Sequence, residues 1–249
     1  MMIVRDSQVQ AFREALQAKA AIELVEHCRE FAPRLFQAAG DSGILQTVRL
    51  GLKRAQGYGF EDEPQVRLYI DMMLVLGSDF DTDPQFSWAQ EMLQDKFSMP
   101  HIRGIALHSD VSQYLDRVMG PQKEHVREAL DRFADLPRDL PSPEQRSIDN
   151  LRGWLRRLFP EKSEELSNDQ LAEIAAKAVQ QSNEFQLPVG SNILAGVMLV
   201  FGHGACDDPL YPWISRVLRD PQITSPEGRL RRLWAKLHVY AESTREYLS

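Results

Sequence analysis

The chain has 249 residues, 43% of them hydrophobic, with 29 Lys and Arg against 36 Asp and Glu. A charged fraction of 26% and a mean hydropathy of -0.37 suit a folded globule rather than a disordered chain. The net charge of -7 excludes a dedicated nucleic-acid binder, because neutralising phosphates requires a surplus of Lys and Arg.

Two cysteines, Cys28 and Cys206, are too few for a disulfide framework and point to a reducing compartment. The opening MMIVRDSQVQ lacks the basic stretch and long apolar run of a secretory signal. The greasiest run, Ile193 to Phe201, is shorter than the ~20 residues of a membrane span. A cytoplasmic protein without a membrane partner is the expectation.

In chain order, Asp6-Ser7 offers a cap, and Val9, Phe12, Leu16, Ala20, Leu24 and Cys28 recur at helical spacing up to Phe31, before Pro33. Beyond Gly40-Asp41-Ser42-Gly43, the residues Leu45, Val48, Leu52 and Ala55 predict a second helix that ends at Gly57. A third runs from Pro64 through Tyr69 and Met73 to Gly77, and Asp83-Pro84 opens a short fourth carrying Trp88. Helices follow over 101–119, 123–133, 143–159, 168–184, 189–201, 208–219 and 226–248. The three prolines at 137, 141 and 143 mark a linker. No stretch alternates apolar and polar residues between turn signals, so the prediction is all-α, with about eleven helices.

The chain resembles itself. At an offset of 125, nine of the 24 residues in 72–95 are identical to those in 197–220, including Gly77 with Gly202, Asp83-Pro84 with Asp208-Pro209, and Trp88 with Trp213. Upstream, Phe60 aligns with Phe185, and Arg29 to Phe36 align with Arg152 to Phe159 after a small gap. The expected organisation is two tandem copies of one helical module, 1–119 and 142–249, joined by a helix and Pro-rich linker over 120–141. The period exceeds the ~34–47 residues of common helical repeats, so this is duplication rather than a solenoid.

Candidate chemical groups are few. Asp79, Asp81 and Asp83 have the spacing that opens a calcium loop, but Pro84 occupies its glycine position and Gln90 replaces the bidentate Glu. Capping and turn formation account for them. His203, Cys206, Asp207 and Asp208 are zinc-type donors in one loop, without a second ligand pair at a recognisable spacing. No cofactor or metal is therefore expected. No phosphate-binding loop, dinucleotide fingerprint or nucleophile elbow occurs, so catalysis has no positive support. Two basic stretches, Arg152-Arg156-Arg157 and Arg229-Arg231-Arg232-Lys236, read as solvated helix faces or as docking surfaces for an acidic partner.

The run from Leu68 to Pro84, followed by Trp88, resembles a signature of a little-characterised family of accessory proteins from bacterial type VI secretion clusters. The stretch from Val48 to Ala55, with Tyr58-Gly59, resembles the same family, and the similarity covers roughly residues 1–95. It implies a helper without catalysis: a chaperone or adaptor whose partner is an effector or spike protein. An immunity protein that blocks a basic toxin is the alternative, and an enzyme with an unrecognised helical site is the third reading. A groove between the two modules would place Asp79, Asp81, His203 and Asp207 at the partner, with Arg156, Arg231 and Arg232 as basic candidates. Charge reversal at Asp79 and Asp81 is expected to weaken binding without unfolding the chain.

Overall fold

A computed structural model describes residues 6–137, 147–187 and 191–248, with side chains described outside 6–18 and 191. Among the described residues the protein is all-α, with twelve α-helices, three short 3-10 turns and no strand. The first half contains α1 (Asp6–Phe31), α2 (Pro33–Gly57), α3 (Glu63–Leu76), α4 (Ser87–Gln94) and α5 (Pro100–Met119). Helix α6 (Glu124–Ala134) leads to the second half: α7 (Ile148–Leu158), α8 (Pro160–Glu164), α9 (Asn168–Glu184), α10 (Ser191–Phe201), α11 (Pro212–Leu218) and α12 (Pro226–Leu248). From residue 138 onward the expected linker lies outside the described residues.

The second helix differs from its prediction. It begins at Pro33, directly after α1, and bends at Gly40, whose φ of 72° lies in the left-handed region. Pro33 is therefore both a stop and a start: it ends α1 and occupies the first turn of α2, where its missing N–H costs nothing. Pro160 acts likewise: it follows the helix expected over 143–159, seen as α7, and opens a short helix, α8, that was not expected.

Each half has its own apolar core. Helix α3 buries Tyr69, Ile70, Met73 and Leu74 against α2 and α5. Its counterpart α10 buries Leu194, Ala195, Met198 and Leu199 against α9 and α7. Burial on most faces explains the greasy composition of both helices.

The offset that relates the sequences also relates backbone hydrogen bonds. Gly77 N donates to Met73 O as Gly202 N donates to Met198 O, both at 3.0 Å. Phe86 N to Asp83 O matches Tyr211 N to Asp208 O, at 2.9 and 3.0 Å. Upstream the register differs from the one expected, because the repeated bonds there lie 127 residues apart: Ala32 N to Cys28 O matches Phe159 N to Leu155 O. Likewise Phe60 N to Ala55 O matches Leu187 N to Ser182 O, so Phe60 corresponds to Leu187 and not to Phe185. The Arg-Leu-Phe likeness at 34–36 and 157–159 is thus out of structural register; the true anchors are Pro33 and Pro160.

The halves meet along a polar seam. Asp83 and Asp208 each cap their own turn with one carboxylate oxygen, accepting from Gln85 N at 2.9 Å and Leu210 N at 2.8 Å. The other oxygen crosses to the opposite half: Asp208 Oδ2 accepts from Ser78 N at 2.9 Å, and Asp83 Oδ2 accepts from His203 N at 2.6 Å. The two crossing bonds exchange into one another at the offset of 125. Gly77 sits between them with φ of 105°, and a Cβ there would lie 2.8 Å from Phe201 O. No other residue type permits that approach.

Candidate functional site

The loops expected to line a groove instead form this seam. Asp81 is 2% exposed, and its carboxylate accepts from Arg54 Nη1 at 3.1 Å, Tyr58 OH at 3.1 Å and Tyr69 OH at 2.8 Å. That corrects its reading as a partner-binding residue: it pairs with a half-buried guanidinium and satisfies two phenols. Burial and the nearby Asp81 carboxylate push the Tyr58 hydroxyl up to about 12 and Tyr69 further in the same direction. Asp79 pairs with Arg54 Nη2 at 2.6 Å and packs on Gly204, where any Cβ would collide with its carboxylate. His203 Nδ1 lies 3.2 Å from Asp83 Oδ2. Only Asp207 of this set is well exposed, and it pairs with Arg219 at 2.6 Å.

Among the described residues no cluster of His, Cys, Asp and Glu is placed to hold a metal ion. Cys206 is buried beside the turn, and desolvation lifts its thiol to about 12, far from a reactive thiolate. Both cysteines are free. Among the described residues no helix is long and apolar enough to cross a membrane.

The basic candidates lie on exposed helix faces. Arg156 donates to Asn168 Oδ1 at 2.5 Å, while Arg231 and Arg232 stand in solvent on α12.

Comparing the halves position by position exposes a feature that no motif announced. Asp95 Oδ1 accepts from Phe97 N at 2.8 Å, and in the second half Asp220 Oδ1 accepts from Gln222 N at 2.9 Å. Bonds from Ser98 and the Phe97 N–H hold the Asp95 carboxyl below the usual carboxylate range. The turn is the same, but it presents a fully exposed Phe97 in one half and Gln222 in the other. The next helices both start with a proline, Pro100 and Pro226, which aligns Ile102 with Gly228 and Ile105 with Arg231. Met99 and Ile105 are 65% and 66% exposed, and Ile102 joins them. The first half thus carries an apolar face where the second carries polar, small and basic residues.

A second feature lies under α6. None of its residues is buried, yet Val126, Ala129, Leu130 and Phe133 turn inward over a space of about 240 Å³. Trp154 and Leu158 of α7, Val197 and Val200 of α10, and Trp234 and Leu237 of α12 form the other walls. Gly196 allows the Trp154 ring to lie on α10, since a Cβ there would come 3.1 Å from it. In the first half the matching positions hold a hydrogen-bonded pair, His27 Nε2 and Asp71 Oδ1 at 2.6 Å, which closes the helices on each other. Desolvation lifts the Asp71 carboxyl, with the His27 bond opposing.

At the rim Glu161 is taken by Arg132 at 3.0 Å. Lys162 has no hydrogen bond or ion pair among the described residues. Its ammonium lies 5.9 Å from the Phe86 ring centroid, and desolvation lowers it to about 8, with Asp83 opposing from a distance. Before α6 the chain passes through Gly120, Gln122 and Lys123, with φ of 69°, 51° and 62°.

Compared with protein-family models, curated proteins and solved structures, the chain matches none.

Proposed function

We propose that this protein is a protein-binding accessory factor that engages its client through the apolar face of Phe97, Met99, Ile102 and Ile105. The observation that carries the reading is the contrast between halves: one backbone turn and one Pro-initiated helix recur, and only one copy is greasy. Folding does not require those side chains, since Gln222 and Arg231 stand in the matching places. A cluster of exposed large apolar residues marks a surface made to be covered. The Asp95 turn fixes the Phe97 backbone beforehand, which lowers the entropy cost of ordering the loop on binding.

The repeated backbone bonds support the view that the halves are two copies of one module, the first having acquired the docking face. In the setting implied by the type VI resemblance, the client is an effector or spike component, and the role is that of a chaperone or adaptor. An apolar face suits it better than charge-steered capture of a basic toxin.

The test is purification of the tagged chain at native expression from its own cells, with mass spectrometry of co-eluting proteins, beside a Phe97→Asp, Ile105→Asp variant. The wild type should retain an effector or spike protein that the variant loses at unchanged melting temperature. An unchanged partner set in the variant refutes the docking face, and recovery of a toxin bound through its active site moves the role to immunity.

A further inference from the structure

We infer that the space under α6 is a binding site for a free aliphatic carboxylate of about eight carbons, with its chain between Trp154, Val200 and Trp234 and its head paired with Lys162. The site belongs to the second half and does not depend on the docking face of α5.

Size comes first. An apolar cavity of roughly 150 Å³ accepts benzene, so about 240 Å³ takes roughly ten non-hydrogen atoms, the size of octanoate. Protein interiors are close-packed, and space of this extent between inward-turned apolar side chains leaves their contacts unmade. The His27–Asp71 hydrogen bond that closes the matching position of the first half is replaced here by Trp154 over Gly196.

Charge decides the head group. Among the described residues the rim offers one uncommitted cation, Lys162, because Arg132 is held by Glu161, and His125 Nδ1 lies 3.2 Å from Arg117 O. A single ammonium with Glu161 beside it and Asp83 beyond suits one negative charge and repels a dianion such as phosphate. Partial burial lowers the ammonium, and an arriving carboxylate restores it.

Access is provided by α6. It rests on α12 and α5 without burying a residue, and its N-terminal approach holds two non-glycine residues in the left-handed region. Such conformations cost roughly 1 kcal/mol or more each. Lifting α6 to admit a chain breaks the Arg132 bonds to Leu158 O and Glu161 and the Asp131–Arg245 pair, which re-form once it settles on the ligand.

The experiment is calorimetric titration of the full chain with hexanoate, octanoate, decanoate and 1-octanol, with tryptophan fluorescence as a second readout, since Trp154 and Trp234 line the space. Affinity should rise about fourfold per methylene from hexanoate to octanoate and then flatten. Octanoate should bind at least tenfold tighter than 1-octanol. Lys162→Met should equalise the two ligands, Lys162→Arg should keep the preference, and Val200→Trp should abolish both. Val200 is 40% exposed, so the larger side chain fills the space without entering the core. If Lys162→Met fails to fold, the ratio between ligands in wild type and Lys162→Arg carries the same information. Equal affinity for octanol and octanoate in the wild type, binding that survives Val200→Trp, or no saturable binding in the millimolar range overturns the assignment.

Discussion

The seam between the halves rests on two carboxylates, and removing either should be costly by a predictable amount. Asp208→Ala deletes the acceptor for Leu210 N at 2.8 Å and for Ser78 N at 2.9 Å, both buried. Hydrogen bonds to a charged group contribute ~1.5–3 kcal/mol each, and an orphaned buried N–H costs ~1–3 kcal/mol. Against this stands the cost of burying the carboxylate, which is what raises the Asp208 carboxyl above its ordinary range despite the two N–H donors. The balance predicts a loss of about 3 kcal/mol, a fall in Tm of roughly 6–12 °C for a chain of this size. Asp83→Ala should cost somewhat more, because that side chain also accepts from Gln85 Nε2 at 3.1 Å. The double variant should lose less than the sum, as the two bonds hold one interface. Urea unfolding of the four proteins gives the cycle. A loss below about 1 kcal/mol for Asp208→Ala would mean that water reaches Ser78 and Leu210 and replaces the carboxylate, which would refute its role in holding the seam.

Reversing Asp81 to Lys should unfold the chain or leave it with a Tm lowered by more than 10 °C, since breaking a buried pair costs ~3–5 kcal/mol. The variant would place a second cation against Arg54 and strand the hydroxyl of Tyr69; a folded variant with near-native Tm in a thermal melt refutes this. Stability should also depend on Lys162 at alkaline pH. Its folded value of about 8 lies below the ordinary 10.5, so between these the unfolded chain binds more protons and this group's contribution to stability rises with pH. The buried thiols of Cys28 and Cys206, lifted to about 12, act in the opposite direction, because the unfolded chain loses their protons first. Chemical denaturation at pH 7.5 and pH 10 should therefore show the wild type gaining on Lys162→Met as pH rises; a constant difference between the two would place the ammonium in water.

What could be read from the sequence follows how local each interaction is. The helix class and the stop at Gly77 depend on neighbours within a few residues, and both appear in the structure. Asp83 and Asp208 do cap turns, but the helices expected to start there begin later, at Ser87 and Pro212. The second oxygen of Asp83 could not be assigned, because its partner is 120 residues away on another helix pair. Asp81 misled for a related reason. In a run of alternating aspartates it looks exposed, but the 3-10 turn over Phe80–Thr82 points it inward under Arg54. One signal was present: Tyr69 lies in the middle of an apolar helix, and a buried phenol needs an acceptor. The upstream register failed because Arg-Leu-Phe is a matter of composition, whereas Pro33 and Pro160 fix backbone positions.

The apolar face on α5 required both halves to be seen in register. Read alone, Phe97, Met99, Ile102 and Ile105 belong to an amphipathic helix and its approach, and the default expectation is that they pack. Backbone turns that recur at a fixed offset supply their own control. Where the same turn and the same helix start occur twice, any residue the fold needs should be needed twice, as Asp95 and Asp220 are for their turns. Side chains that differ in kind between matching places are free of that demand. By this criterion the seam carboxylates, shared by both halves, are structural, while Phe97 and Ile105 on one side and Trp154 over Gly196 on the other are where the halves differ. Function is to be sought at those departures, and the two experiments on the α5 face and on the α6 pocket address one departure each.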